Sequence, residues 1–67
     1  MDIRIAKRII GEKVKHGDHI YILTACILRK NPQGQYYYQA ELHELKANCV
    51  HIVALDKVEE CPEEVKV

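Results

Sequence analysis

The tetrapeptide Asn31-Pro32-Gln33-Gly34 constrains this chain more than any other feature. Proline at the second position pre-sets φ, asparagine at the first bonds the backbone ahead of it, and glycine suits the fourth. Together they specify a type I turn. Apolar, β-rich segments flank the turn on both sides, so it closes a hairpin. With 67 residues, the chain has room for one domain (1–67), because a core this small cannot be divided and still bury enough apolar surface.

Beyond the turn the residues alternate. Tyr36, Tyr38, Ala40 and Leu42 point one way; Gln35, Tyr37, Gln39, Glu41 and His43 point the other. The first set is expected in the core, with the Tyr36 and Tyr38 hydroxyls reaching its rim, and Tyr37 is expected outside. Before the turn, residues 20–30 are apolar on both faces. Ile20, Ile22, Cys26 and Leu28 oppose Tyr21, Leu23, Ala25 and Ile27. A straight strand of this length spans roughly 36 Å, too long for so small a domain. The small residues Thr24-Ala25-Cys26 are therefore the expected place for a bend or bulge that lets one strand serve two sheets. Gly17-Asp18 sets the turn before it.

A second hairpin follows. A three-residue loop, Lys46-Ala47-Asn48, pairs Leu45 with Cys49, His43 with His51 and Glu41 with Val53. It also puts Asn48 where such loops take a left-handed residue. Val50, Ile52 and Ala54 then share the face opposite Cys49, His51 and Val53. Leu55-Asp56-Lys57-Val58 reads as a tight turn before a short last strand, and residues 62–67 as a frayed acidic tail. Residues 2–10 fit a strand or a helix: Ile3, Ile5 and Ile9 alternate, while Ile3, Ala6 and Ile10 suit helical spacing.

The fold class is thus all-β, a small barrel or rolled antiparallel sheet of four to five strands. Closure removes the exposed edges that endanger an isolated sheet. On the Gly17-Asp18 turn, the Asn-Pro-Gln-Gly hairpin, the Asn48 hairpin and the Leu55-Asp56-Lys57-Val58 turn, residues 11–61 resemble the SH3-like small barrels of the KOW and Tudor group. The chain also looks like short bacterial proteins of the mobile-element kind. The barrel resemblance is one of topology and assigns no site. It implies ligands held on aromatic residues near the hairpins, whether peptides, methylated side chains or bases.

Charge narrows the partners. Ten basic and ten acidic residues balance, but residues 1–30 carry seven Lys/Arg against three acids, and residues 31–67 the reverse. A neutral total argues against a dedicated polyanion binder. The segregation is expected to be answered across strands or across a dimer interface. Arg4, Lys7 and Arg8 interrupt the first ten residues, so these hold no signal-peptide core, and the uncharged stretch 19–28 is half a membrane span. Cys26, Cys49 and Cys61 are odd in number and show no paired spacing. Reduced thiols in a cytoplasm are the expectation.

Three chemistries compete. In the first, exposed tyrosine and basic residues (Tyr21, Arg29, Lys30 and Tyr37) form a ligand-binding patch on a non-catalytic module that binds a protein partner or itself, as a homo-oligomer. The same residues, with the basic first third, carry the alternative of a weak nucleic-acid-binding accessory protein. In the second, His43 and His51 opposed on one face, near Glu41 and Cys49, offer donors to a metal. Those residue types suit a transition metal, but CxxC and HExxH motifs are absent. In the third, Cys49 activated by His51 or His43 acts as a nucleophile, which a barrel with little concavity serves poorly. The expected protein is not an enzyme and uses no cofactor. A strand apolar on both sides needs cover, by the N-terminal segment or by another subunit.

Overall fold

The computed structural model describes residues 1–61, so the tail expected to fray at 62–67 lies outside the described residues. A short helix α1 (Ile3–Arg8) precedes strands β1 (Lys13–His16), β2 (His19–Lys30), β3 (Tyr36–Glu44) and β4 (Val50–Ala54). A 3-10 turn (Leu55–Lys57) then leads into β5 (Glu59–Glu60). The strands form one antiparallel sheet in the order β4-β3-β2-β1-β5. The class is all-β.

The N-terminal segment resolves to helix. Asp2 caps it, its carboxylate accepting the Arg4 N–H at 2.8 Å while its carbonyl accepts the Ala6 N–H at 3.0 Å. Gly11, at φ 97°, turns the chain away after it. Six residues are too few to hold a helix in water, so packing fixes it. Ala6 is fully buried, with Met1, Ile3 and Ile9 against the same core.

The bulge falls where the small residues predict it. Leu23 pairs with Leu42 and Ala25 with Glu41, leaving Thr24 as the extra residue. Its hydroxyl sits 2.7 Å from Glu41 Oε2 and 3.1 Å from the Glu41 carbonyl oxygen. One extra residue exchanges the faces of everything beyond it. Tyr21 and Leu23 therefore share the inner face with Cys26 and Leu28, and simple alternation through residues 20–30 assigned them wrongly. The outer face takes Ile20, Ile22, Ala25 and Ile27.

The β3–β4 register also differs from expectation, by one residue. Leu42 pairs with His51 and His43 with Val50. The loop has four residues, 45–48, closed by the Glu44 N–H to the Cys49 carbonyl at 3.0 Å. Among the described residues no non-glycine residue has positive φ, so Asn48 is not left-handed, and the longer loop does not require it. The slip turns His51 and Val53 inward and leaves Val50 and Ile52 exposed.

Among the described residues the core is Ala6, Val14, Leu23, Ala40, Leu42, Leu55 and Val58. Nothing in it is larger than leucine; the sequence holds no Phe or Trp. It sits between the inner sheet face, α1 and the 3-10 turn. Tyr36 and Tyr38, expected there, are instead 67% and 39% exposed. Their alternation is right, but the strands run past the elements that could cover them. β2, at about 3.3 Å per residue, extends nearly the length of a molecule measuring 43 × 25 × 19 Å.

Candidate functional site

That overrun creates an arm. β1 pairs with β2 no further along than Ile22, and β4 reaches β3 only at Gln39. Beyond those points residues 28–30 and 36–38 have only each other as strand partners, as Leu28↔Tyr38, Arg29↔Tyr37 and Lys30↔Tyr36. The turn at its tip is firmly bonded. Gly34 N–H donates to the Asn31 carbonyl at 2.9 Å, and the Asn31 side chain accepts the Gln35 N–H at 2.9 Å. Gly34 adopts φ 87°, a conformation costly for other residues.

Among the described residues, four of the eight exposed large hydrophobic residues lie on this arm: Leu28, Tyr36, Tyr37 and Tyr38. A two-stranded ribbon is marginal by itself in water, and this one leaves its large apolar side chains open to solvent. Each face carries one cation among its aromatics. On the inner face Lys30 Nζ lies 5.4 Å from the centre of the Tyr36 ring. On the outer face Arg29 is cross-strand from Tyr37 and donates through Nε to the Gln39 side-chain oxygen. Arg29, Lys30 and Tyr37 are thus brought together at one end, on two faces. Tyr36 belongs with them and was missed, because alternation alone placed it in the core.

At the base of the arm lies a groove of about 280 Å³, lined by Met1, Ile3, Tyr37, Tyr38, Leu55 and Asp56. The Met1 ammonium donates to the Leu55 carbonyl at 3.2 Å, tying the chain start to the 3-10 turn.

Tyr21 is elsewhere. It stands eight residues back along β2, about 26 Å from Arg29 at strand spacing. There the β1–β2 turn and the β3–β4 loop flank an open cleft of about 510 Å³ containing His19, Tyr21, Glu44, Lys46 and His51. The Tyr21 ring meets His51 edge-on at 5.4 Å, and His16 and His19 each at 6.4 Å. His51 Nε2 is 2.6 Å from Glu44 Oε2. The His16 Nδ1–H donates to the Lys57 carbonyl at 3.1 Å. The place of His51 in this cluster depends on the β3–β4 register, while the β1–β2 hairpin sets His16 and His19 beside Tyr21.

The same register separates His43 from His51, since they pair with different residues and emerge on opposite faces. Among the described residues no group of three or more His, Cys, Asp or Glu converges as a metal site would require. Cys26 is half-buried against the core, and burial pushes its thiol pKa up, away from a reactive thiolate. Cys49 is exposed and Cys61 half-buried; all three are free.

No family model matches the chain, and neither the curated proteins nor the solved structures contain a significant match to it.

Proposed function

We propose that this chain is a non-catalytic binding module, an SH3-like barrel that engages a protein partner or a second copy of itself through the β2–β3 arm. The single observation that carries the reading is the exposure of Leu28, Tyr36, Tyr37 and Tyr38 together on two strands that no third strand joins there. The barrel reading draws support from β5 returning to β1, with Val14 opposite Glu60 and Lys15 opposite Glu59. It draws further support from the Thr24 bulge, which lets one long strand curve through two layers. Three free thiols fit a reducing cytoplasm. Among the described residues no helix is long and apolar enough to cross a membrane.

A photo-crosslinking residue at position 36, in the living cell, tests this. Adducts are expected from position 36 and not from Lys13, which lies far from the arm. No adduct from 36, or equal yield from both, contradicts the reading.

One observation favours a second reading, in which the arm binds single-stranded nucleic acid weakly. Tyrosine and a cation sit side by side on each face of the arm, as stacking and phosphate contact together require. A salt-sensitive gel shift, reduced by Arg29→Ala with Lys30→Ala, is then expected. The absence of any shift at low salt ends that reading.

A further inference from the structure

We propose that the cleft around Tyr21 is a ligand site separate from the arm, and that it takes a small molecule made of a flat aromatic ring bearing an anionic group. The inference goes beyond the binding-module reading and does not rest on it, since the cleft stands at the other end of β2.

The cleft is walled by rings. Tyr21 and His19 come from β2, and His51 comes from β4 on the far side of β3. His19 and His51 stand at 65° and 62° to the Tyr21 plane, with ring centres 6.4 and 5.4 Å away. Rings set so steeply to one another line a slot rather than a flat patch. A planar ligand ring then lies along one wall with its edge toward another, the two arrangements that aromatic groups prefer. Ile20 and Leu45 add apolar lining. The volume of about 510 Å³ falls within the range of sites for single small molecules.

Charge selects the sign of the ligand. Glu44 is the acid that lines the cleft, and it already accepts from His51 Nε2 at 2.6 Å, so its charge is answered. Asp18, in the neighbouring turn, is exposed and does not line the cleft. The donors, by contrast, are uncommitted. Among the described residues the side chains of His19 and Lys46 make no hydrogen bond and no ion pair. The Lys46 ammonium donates and cannot accept, and the His19 imidazole holds at least one N–H. A cationic ligand would enter beside Lys46 with no unpaired carboxylate to answer it. An anionic one meets Lys46 and His19 together.

The site is also braced before any ligand arrives. The Glu44 N–H bonds to the Cys49 carbonyl at 3.0 Å, fastening the loop that carries Lys46. His16 pairs with His19 across the β1–β2 turn and donates through Nδ1 to the Lys57 carbonyl at 3.1 Å, fastening the other side. Walls already held in place lower the ordering cost of binding.

NMR titration of the full chain tests the proposal, with adenosine monophosphate and benzoate as probes. Saturable shifts are expected at His19, Tyr21, Lys46 and His51 with at least one of them, at a Kd of about 1 mM or tighter, and not at Tyr36 or Tyr37. The tighter probe tells phosphate from carboxylate. Adenosine and inorganic phosphate each carry half of the ligand and are expected to bind about ten-fold more weakly than the nucleotide. Lys46→Ala is expected to weaken binding about ten-fold, as loss of a hydrogen bond from a charged donor does. His19→Ala is expected to weaken it too; both positions are exposed, so the core stays intact. The proposal is overturned if neither probe gives a saturable shift up to about 10 mM, or if the shifts centre on the arm. It is overturned equally if both substitutions leave affinity unchanged, or if tetramethylammonium binds as tightly as the anions.

Discussion

The body of the molecule and its arm are built from the same two strands with the same alternation, yet one is dry and the other is open. In the body, Leu23 and Leu42 pair across β2 and β3 and are fully buried, because α1 and the 3-10 turn lie over them. In the arm, Leu28 and Tyr38 form the same kind of cross-strand pair and stay exposed, because α1 and the 3-10 turn reach only the edge of Tyr38 at the groove. Alternation determines which residues share a face. Whether that face is buried depends on an element far away in sequence, or on another molecule.

The sharpest way to break this comparison is to truncate both members of it. Leu23→Ala is expected to cost about 2–5 kcal/mol in urea unfolding, as loss of a large buried side chain does. Leu28→Ala should stay within about 0.5 kcal/mol. Comparable losses would mean that the arm belongs to the core.

Next in size is Gly34→Ala. A Cβ there meets only the flexible end of Lys30, at 3.8 Å, so the penalty is the left-handed backbone itself, about 1–2 kcal/mol. The comparison predicts that the damage stays local. Amide exchange should quicken at residues 36–38 and hold steady at Ala40 and Leu42.

Thr24→Val removes the hydroxyl contact that fastens the bulge to Glu41, at about 0.5–1.5 kcal/mol. Because the bulge sets which face continues into the arm, exchange should rise on the arm side of position 24 more than on the body side.

The smallest expected effect belongs to the helix cap. The Arg4 side chain, and then the Arg4 backbone N–H, bond to Asp2 and hold its carboxyl pKa below the ordinary 3.8. A depressed carboxylate stabilises the fold above its unfolded pKa, and that contribution disappears as pH falls through the folded value. The urea midpoint should therefore decline below pH 3.8 less steeply in Asp2→Asn than in the wild type. An unchanged acid limb would contradict the cap's role.

Much of the fold was legible. Pro32 and Gly34 dictate the hairpin, Gly17-Asp18 the first turn, and the run of small residues the bulge. Three things were not. The face exchange at Thr24 needs the location of the extra residue to the exact position, since one residue reverses every side chain after it. The β3–β4 register turned on whether the loop holds three residues or four, and Lys46-Ala47-Asn48 is compatible with either. That single step dissolved the His43–His51 pair and brought His51 to Tyr21, beside which the β1–β2 hairpin sets His16 and His19. Exposure of Tyr36 and Tyr38 depends on where β1 and β4 stop, which no local pattern encodes. Of the ligand-binding residues expected, Arg29 and Tyr37 pair on the outer face of the arm and Lys30 stands at the same end on the inner face, because adjacency to one turn was enough to place them. Tyr21 stands elsewhere.

Hydrogen exchange of single amides measures the difference between arm and body most directly. Ala40 and Leu42 should be strongly protected, while Tyr36 and Tyr38 exchange quickly. Arm amides as protected as those of Leu42 would contradict the account.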